Sequence, residues 1–219
     1  MPDATGKAIR GERRWPMAVA VLVAGWLHAT LPDALKVQQS AWLPWIVMAL
    51  LVILIVGDPG RIDRSRPWLR VLTGVLFGFI TIANAYSAVQ LVIGIVDNAS
   101  FTQPRELLLA GGSVWLTNVI AFALWFWDLD RGGAAERTNR TDRTPALVFP
   151  EMQHPEHVGP DWSPQFVDYL AFSFATATAF SPTDVSAVKP WAKAMSVCES
   201  LLSLALAALV IARAINVLQ

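Results

Sequence analysis

The densest group of chemistry-bearing residues beside an apolar stretch is Thr176, Thr178, Ser181, Thr183 and Asp184, with Pro182 interrupting it. Hydroxyls and carbonyls at this spacing are oxygen ligands that could replace part of a cation's water shell. Asp184 would then set a cation-attracting field at the mouth. The competing expectation is a helix end and surface loop whose Thr and Ser side chains bond back to their own backbone. Glu199 stands inside the last apolar run, where an ionised carboxylate is costly unless it is paired or wetted. Ser196, Glu199, Ser203 and Ala207 share one helical face by their spacing. That face predicts a water-lined path or a tight helix contact. Alternatively, Glu199 reaches the interface or bonds to a neighbouring helix such as the one carrying Asn118.

Other polar residues invite plainer chemistry. Asn84 and Asn118 lie inside apolar runs and predict interhelical hydrogen bonds. His28, near the end of the first run, predicts an interfacial residue. His154 and His157, with Asp161 nearby, are metal-capable, but Pro155 sits between the histidines and no helical pattern surrounds them, so a solvated loop is expected. The single cysteine, Cys198, excludes an internal disulfide and a multi-cysteine metal site. With no phosphate-binding glycine loop, nucleophile elbow or acid–base pair in the chain, we expect no enzyme activity and no cofactor.

The elements that must position these residues are helical. The 219 residues are 54% hydrophobic and 16% charged, with a mean hydropathy of +0.45. The apolar residues fall in long runs between charged stretches, the pattern of an all-α, polytopic helical membrane protein whose surroundings are the lipid bilayer. Zero net charge gives no reason to expect a nucleic-acid partner. A polar segment, 1–15, precedes four expected transmembrane helices within 16–127, at about 16–31, 42–56, 69–96 and 106–127. Trp26, Leu27 and His28 lack the small residues of a signal cleavage site, so the first run is expected to stay as a span. Gly74 and Gly78 have the spacing of a close helix contact. A linker rich in Pro, Thr and Arg follows at 128–162. The last region, 163–219, begins with a Ser163–Pro164 helix start. Its short apolar helix, 164–180, stops at Ser181–Pro182, and a long helix restarts at Pro190. Trp15, Trp42, Trp45, Trp68, Trp125, Trp127, Trp162 and Trp191 lie near run ends, as in an interfacial belt.

Lysine and arginine alternate between dense and sparse segments along the chain. Dense segments are Lys7 to Arg14, Arg61 to Arg70 and Arg131 to Arg143, each with four; sparse ones hold Lys36, Arg105, the pair Lys189 and Lys193, and Arg213. The alternation predicts a cytoplasmic N-terminus and a cytoplasmic 128–162 linker. If 164–180 crosses, there are six spans, with thirteen of these cations inside and four outside. If it dips in and returns, there are five, with fourteen inside and three outside. The Thr- and Ser-rich end of the segment slightly favours the dipping arrangement, because such groups suit a cavity better than lipid.

The run FSFATATAFSPTDVSAVKPWAKAMSVCESLLSLALAALVIAR resembles the second half of a two-transmembrane potassium-channel pore module: pore helix, filter, linker and inner helix. Thr176, Thr178 and Asp184 match the filter spacing, and Glu199 sits where many bacterial members carry Glu. Ser181 and Thr183 replace both filter glycines and Pro182 the tyrosine, which argues against a working potassium filter. The usual orientation of that module is the reverse of the charge pattern. A pore loop entering from the cytoplasm, as in the ionotropic glutamate receptors, would reconcile the two. More of the chain, SVWLTNVIAFALWFWDLDRGG and FVDYLAFSFATATAFSPTDV with the last helix, is similar to a group of bacterial membrane proteins of unknown function. Together the resemblances imply a multi-pass protein of the bacterial plasma (inner) membrane with a pore-like C-terminal hairpin. They also imply a homo-oligomer, tetrameric by the channel likeness, that passes a small cation or solute through a non-potassium filter. The alternative is a non-conducting structural or partner-binding protein on a degenerate pore scaffold.

Overall fold

Proline in the first turn opens three of the main helices, where its missing N–H costs no intrahelical bond. A computed structural model describes residues 12–36, 43–57, 61–62, 66–97, 103–139, 143–159, 162–178 and 184–217. It is mostly helical. The order is β1 (Glu12–Arg13), α1 (Trp15–Thr30), α2 (Leu43–Gly57), β2 (Arg61–Ile62), α3 (Pro67–Val96), α4 (Pro104–Leu129), α5 (Ala134–Asn139), β3 (Leu147–Val148), α6 (Pro150–Gln153), α7 (Phe166–Thr178), β4 (Ser186–Ala187) and α8 (Pro190–Val217). Short 3₁₀ turns occupy Asp33–Leu35, Asp130–Gly132 and Pro155–His157.

Three helices, α3, α4 and α8, are long and apolar enough to cross a membrane. Of the four N-terminal spans expected, α3 and α4 reach that length among the described residues. With 16 and 15 residues, α1 and α2 rise about 22–24 Å, short of a ~30 Å hydrocarbon core. Trp42, expected to open the second run, lies outside the described residues.

Two antiparallel strand pairs gather the charged loops at one end of the bundle. Glu12 faces Ile62 and Arg13 faces Arg61, which brings the N-terminal segment to the α2–α3 connection. Leu147 faces Ala187 and Val148 faces Ser186, which brings the segment after α4 to the residues before α8. Glu12 also bonds to Arg137, tying the two groups together. All four loops lie at what we call the charged end; the α1–α2 and α3–α4 turns lie at the other.

α7 runs antiparallel to α4, with Phe166 against Trp127 and Phe174 against Trp115. It therefore starts at the charged end and points inward. β4, which follows it, is at the charged end again. The helix opens later than the expected 164, and residues 179 and 180 lie outside the described residues. It opens at Phe166, where the Asp168 carboxylate turns back to accept from Gln165 N at 2.7 Å, the third-residue half of a capping box. Its 13 described residues rise about 20 Å.

The core has two parts. One, at the charged end, joins α1, α3, α4 and α7 to Ala146, Leu147 and Phe149. The 128–162 segment is thus no bare linker: it folds onto the bundle. The other part, at the far end, packs Leu91, Leu107 and Val114 against Leu206 and Val210. Among the described residues, a Cβ at Gly74 or Gly78 would meet nothing within 4 Å, so the close contact that their spacing allows is not made there. Gly111 makes it instead. A Cβ there would lie 2.6 Å from Val210 Cγ2, so α4 and α8 approach at this glycine.

Candidate functional site

Where α4, α7 and α8 meet, the side chains that could do chemistry form a buried polar layer. Glu199, Ser203 and Ser173 are each 0% exposed. Ser173 Oγ lies 2.8 Å from Val119 O and within hydrogen-bond distance of Glu199 Oε1. The hydroxyl carries one hydrogen for these two acceptors. Glu199 Oε2 is buried and has no hydrogen-bond partner among the described residues.

The layer continues sideways. Asn118 Nδ2 donates to Ser203 Oγ at 3.2 Å, and Asn84 Nδ2 points at Asn118 Oδ1 from 3.5 Å. The asparagines make the interhelical contact that their position in apolar runs predicts, with Asn84 on α3 and Asn118 on α4. Half-buried His28 adjoins them, facing a void of about 20 Å³ bordered by Asn84 and Thr117. The void's volume is that of a single water site. The hydrogen bonds run from helix to helix across the bundle, not along its axis.

Of the filter-like residues, Thr176, Thr178 and Asp184 are described. Thr176 is buried, and its carbonyl accepts from Ser200 Oγ at 3.0 Å. Thr178 Oγ1 donates to Ala175 O at 2.9 Å, the backbone-directed bond that competes with ligand binding. Asp184 is exposed near β4, at the charged end. Ser181, Pro182 and Thr183 lie outside the described residues. On α8 the face with Glu199 and Ser203 turns into the protein. The opposite face exposes Val197 (59%), Leu201 (64%), Leu204 (52%) and Ile211 (56%). Of the two outcomes open for the Ser196–Ala207 face, the tight helix contact is the one formed.

Sequence reasoning missed a second cluster, at the charged end. Glu12 Oε1 accepts from Trp127 Nε1 at 2.6 Å and from Phe166 N at 2.7 Å, and Oε2 pairs with Arg137 at 2.9 Å. Arg137 donates to Trp127 O and Asp130 O, its guanidinium over the rings of Trp127 and Tyr169. Asp130 accepts from Ala146 N and from the Tyr169 hydroxyl, both at 2.7 Å. Opposite charges meet where burial would penalise either alone, and β1, α4, α5, α7 and the residues before β3 are tied together. Arg131, Gly132 and Gly133 all have positive φ, which bends the chain after α4 so that Asp130 and Arg137 face each other. The DRGG run was the available signal; the partner Glu12, more than a hundred residues away, had none.

His154 and His157 are exposed, with His154 Nδ1 3.1 Å from Glu156; Asp161 lies outside the described residues. Among the described residues no group of three His, Cys, Asp or Glu could hold a metal. Compared with models of known protein families, with characterised proteins and with solved structures, the chain matches none, so nothing there supports a potassium-channel-like module.

Proposed function

We propose that this chain is a multi-spanning protein of a bacterial plasma membrane, with a cytoplasmic N-terminus, that acts as a structural or partner-binding component. In this reading it is not an enzyme and does not conduct through its own bundle. One observation carries it: the polar face of α8 turns into the bundle, with Glu199 and Ser203 fully buried and bonded to α7 and α4. A permeation path needs polar groups that water reaches. The orientation is supported by the fourteen Lys and Arg that belong to the charged-end segments, against three elsewhere.

A second reading is favoured by α7, whose start and following strand both lie at the charged end, as in a pore loop. A homo-oligomer, a tetramer in the channel resemblance's own terms, would then pass a small cation or solute between its protomers, past the Thr178–Asp184 turn. Flux through purified protein in liposomes separates the two. We expect no cation flux above empty vesicles, and none altered by Thr178→Ala, Asp184→Ala or Glu199→Gln. Flux that these substitutions abolish would overturn the first reading and establish the second.

A further inference from the structure

A cavity of about 270 Å³ opens at the charged end between α1, α3 and the end of α4. Arg14, Arg66 and Arg70 line it from three directions of the chain's fold: the start of α1, the residue before α3, and the first turn of α3. Met17, Leu69 and Trp127 form its apolar wall. Two carboxylates, Asp128 and Glu136, also border it, against three guanidinium groups. Glu136 pairs with Arg143, outside the lining, at 3.2 Å, while Asp128 feels Arg70 and Arg137. With three guanidinium groups against two carboxylates, the lining among the described residues is net cationic.

Arg14 is buried and fixed in place by donation to Leu54 O at 3.1 Å. Among the described residues Arg66 uses one donor, on Gly57 O at 3.5 Å. A guanidinium has five N–H groups in a planar fork that matches phosphate oxygens. The cavity is too small for a whole lipid but has room for a headgroup. Next to it, α3 presents exposed Trp68, Val71 and Val75, an apolar stripe leading away from the arginines toward the middle of the bundle. A ligand with a phosphate at one end and a hydrocarbon body at the other fits both features.

We propose that this cavity binds the phosphate headgroup of a membrane glycerophospholipid, with its acyl chains along the Val71 and Val75 side of α3. The proposal deepens the partner-binding reading and rests on it: the partner it names is a lipid. The full chain, purified in detergent and stripped of lipid, is titrated with phosphatidylglycerol, and bound lipid is counted by native mass spectrometry. Inorganic phosphate, glycerol phosphate and diacylglycerol serve as competitors. We expect one tightly held phospholipid, weakened roughly ten-fold or more in the double variant Arg66→Gln, Arg70→Gln, as for loss of charge-assisted hydrogen bonds. Arg105→Gln, at the opposite end, should bind like the unmodified chain. Equal binding by the double variant, with its helical circular dichroism intact, overturns the proposal. So does full competition by glycerol phosphate or inorganic phosphate, which would make the ligand a soluble phosphate. Full competition by diacylglycerol overturns it too, since an apolar groove alone would suffice. Release of the chain from membranes by alkaline carbonate would sink the membrane reading itself; a lipid-binding failure in carbonate-resistant protein sinks only the cavity's assignment.

Discussion

Replacing Gly111 with alanine adds one methyl group where α4 and α8 touch. The new Cβ would sit 2.6 and 2.8 Å from the two Cγ atoms of Val210, and 3.2 Å from its Cβ. Carbon atoms pack best at ~3.5–4.0 Å, so the overlap is about 1 Å. Val210 is buried, and its branched Cβ leaves it one strongly preferred rotamer in a helix, so the helices must separate. Overpacking of this kind costs about 1–3 kcal/mol. Alanine also gains up to ~1 kcal/mol over glycine in helix propensity, which would blur the result read alone. Gly112 is the control. It is next along the same helix, and a Cβ there meets nothing within 4 Å. Because the propensity gain is common to both variants, Gly111→Ala should fall below Gly112→Ala by the overpacking term alone, about 1–3 kcal/mol. In thermal unfolding in one detergent this corresponds to a midpoint roughly 2–12 °C lower. Val210→Ala should restore room, so the double variant Gly111→Ala, Val210→Ala should show a favourable coupling of at least ~0.5 kcal/mol in a double-mutant cycle. A Gly111→Ala protein as stable as Gly112→Ala, or a cycle with no coupling, would refute the packing of α4 on α8 described here.

Ser173→Ala removes the hydrogen-bond partner of Glu199 Oε1 and should destabilise by about 1–3 kcal/mol. Glu199→Gln should stay within ~1 kcal/mol of the unmodified chain, because its amide oxygen can still accept from Ser173; chemical denaturation of both variants checks this. Arg137→Gln leaves Glu12 buried without its cation and should cost about 3–5 kcal/mol, whereas Tyr169→Phe should cost only about 1–3 kcal/mol. Equal losses in unfolding experiments would contradict the central place given to Arg137. In a Cys198→Ser background, Arg13→Cys and Ser186→Cys should react with an impermeant maleimide from the same side of the membrane, and Asp33→Cys from the other. Labelling of residues 13 and 186 from opposite sides would mean that α7 crosses.

By itself the sequence determined the helices and the end at which their charges collect. The apolar runs near 69–96 and 106–127 became α3 and α4 almost residue for residue, because hydrophobicity and proline starts act locally. Alternating arginine density marked the segments that the two strand pairs bring together, since each loop carries its own charge whatever it touches. The asparagines could likewise be read as interhelical, a polar amide in an apolar run having few other uses. Only the tertiary structure decided which way the α8 carboxylate faces. Spacing put Glu199 and Ser203 on one side of a helix, but whether that side meets water or α4 and α7 depends on neighbours elsewhere in the chain. The same holds for the Glu12–Arg137–Asp130–Tyr169 lock and for Gly111 as the contact glycine in place of Gly74 and Gly78. Periodicity reports the face a residue shares; it carries no information about what that face meets, because burial is a property of pairs of elements.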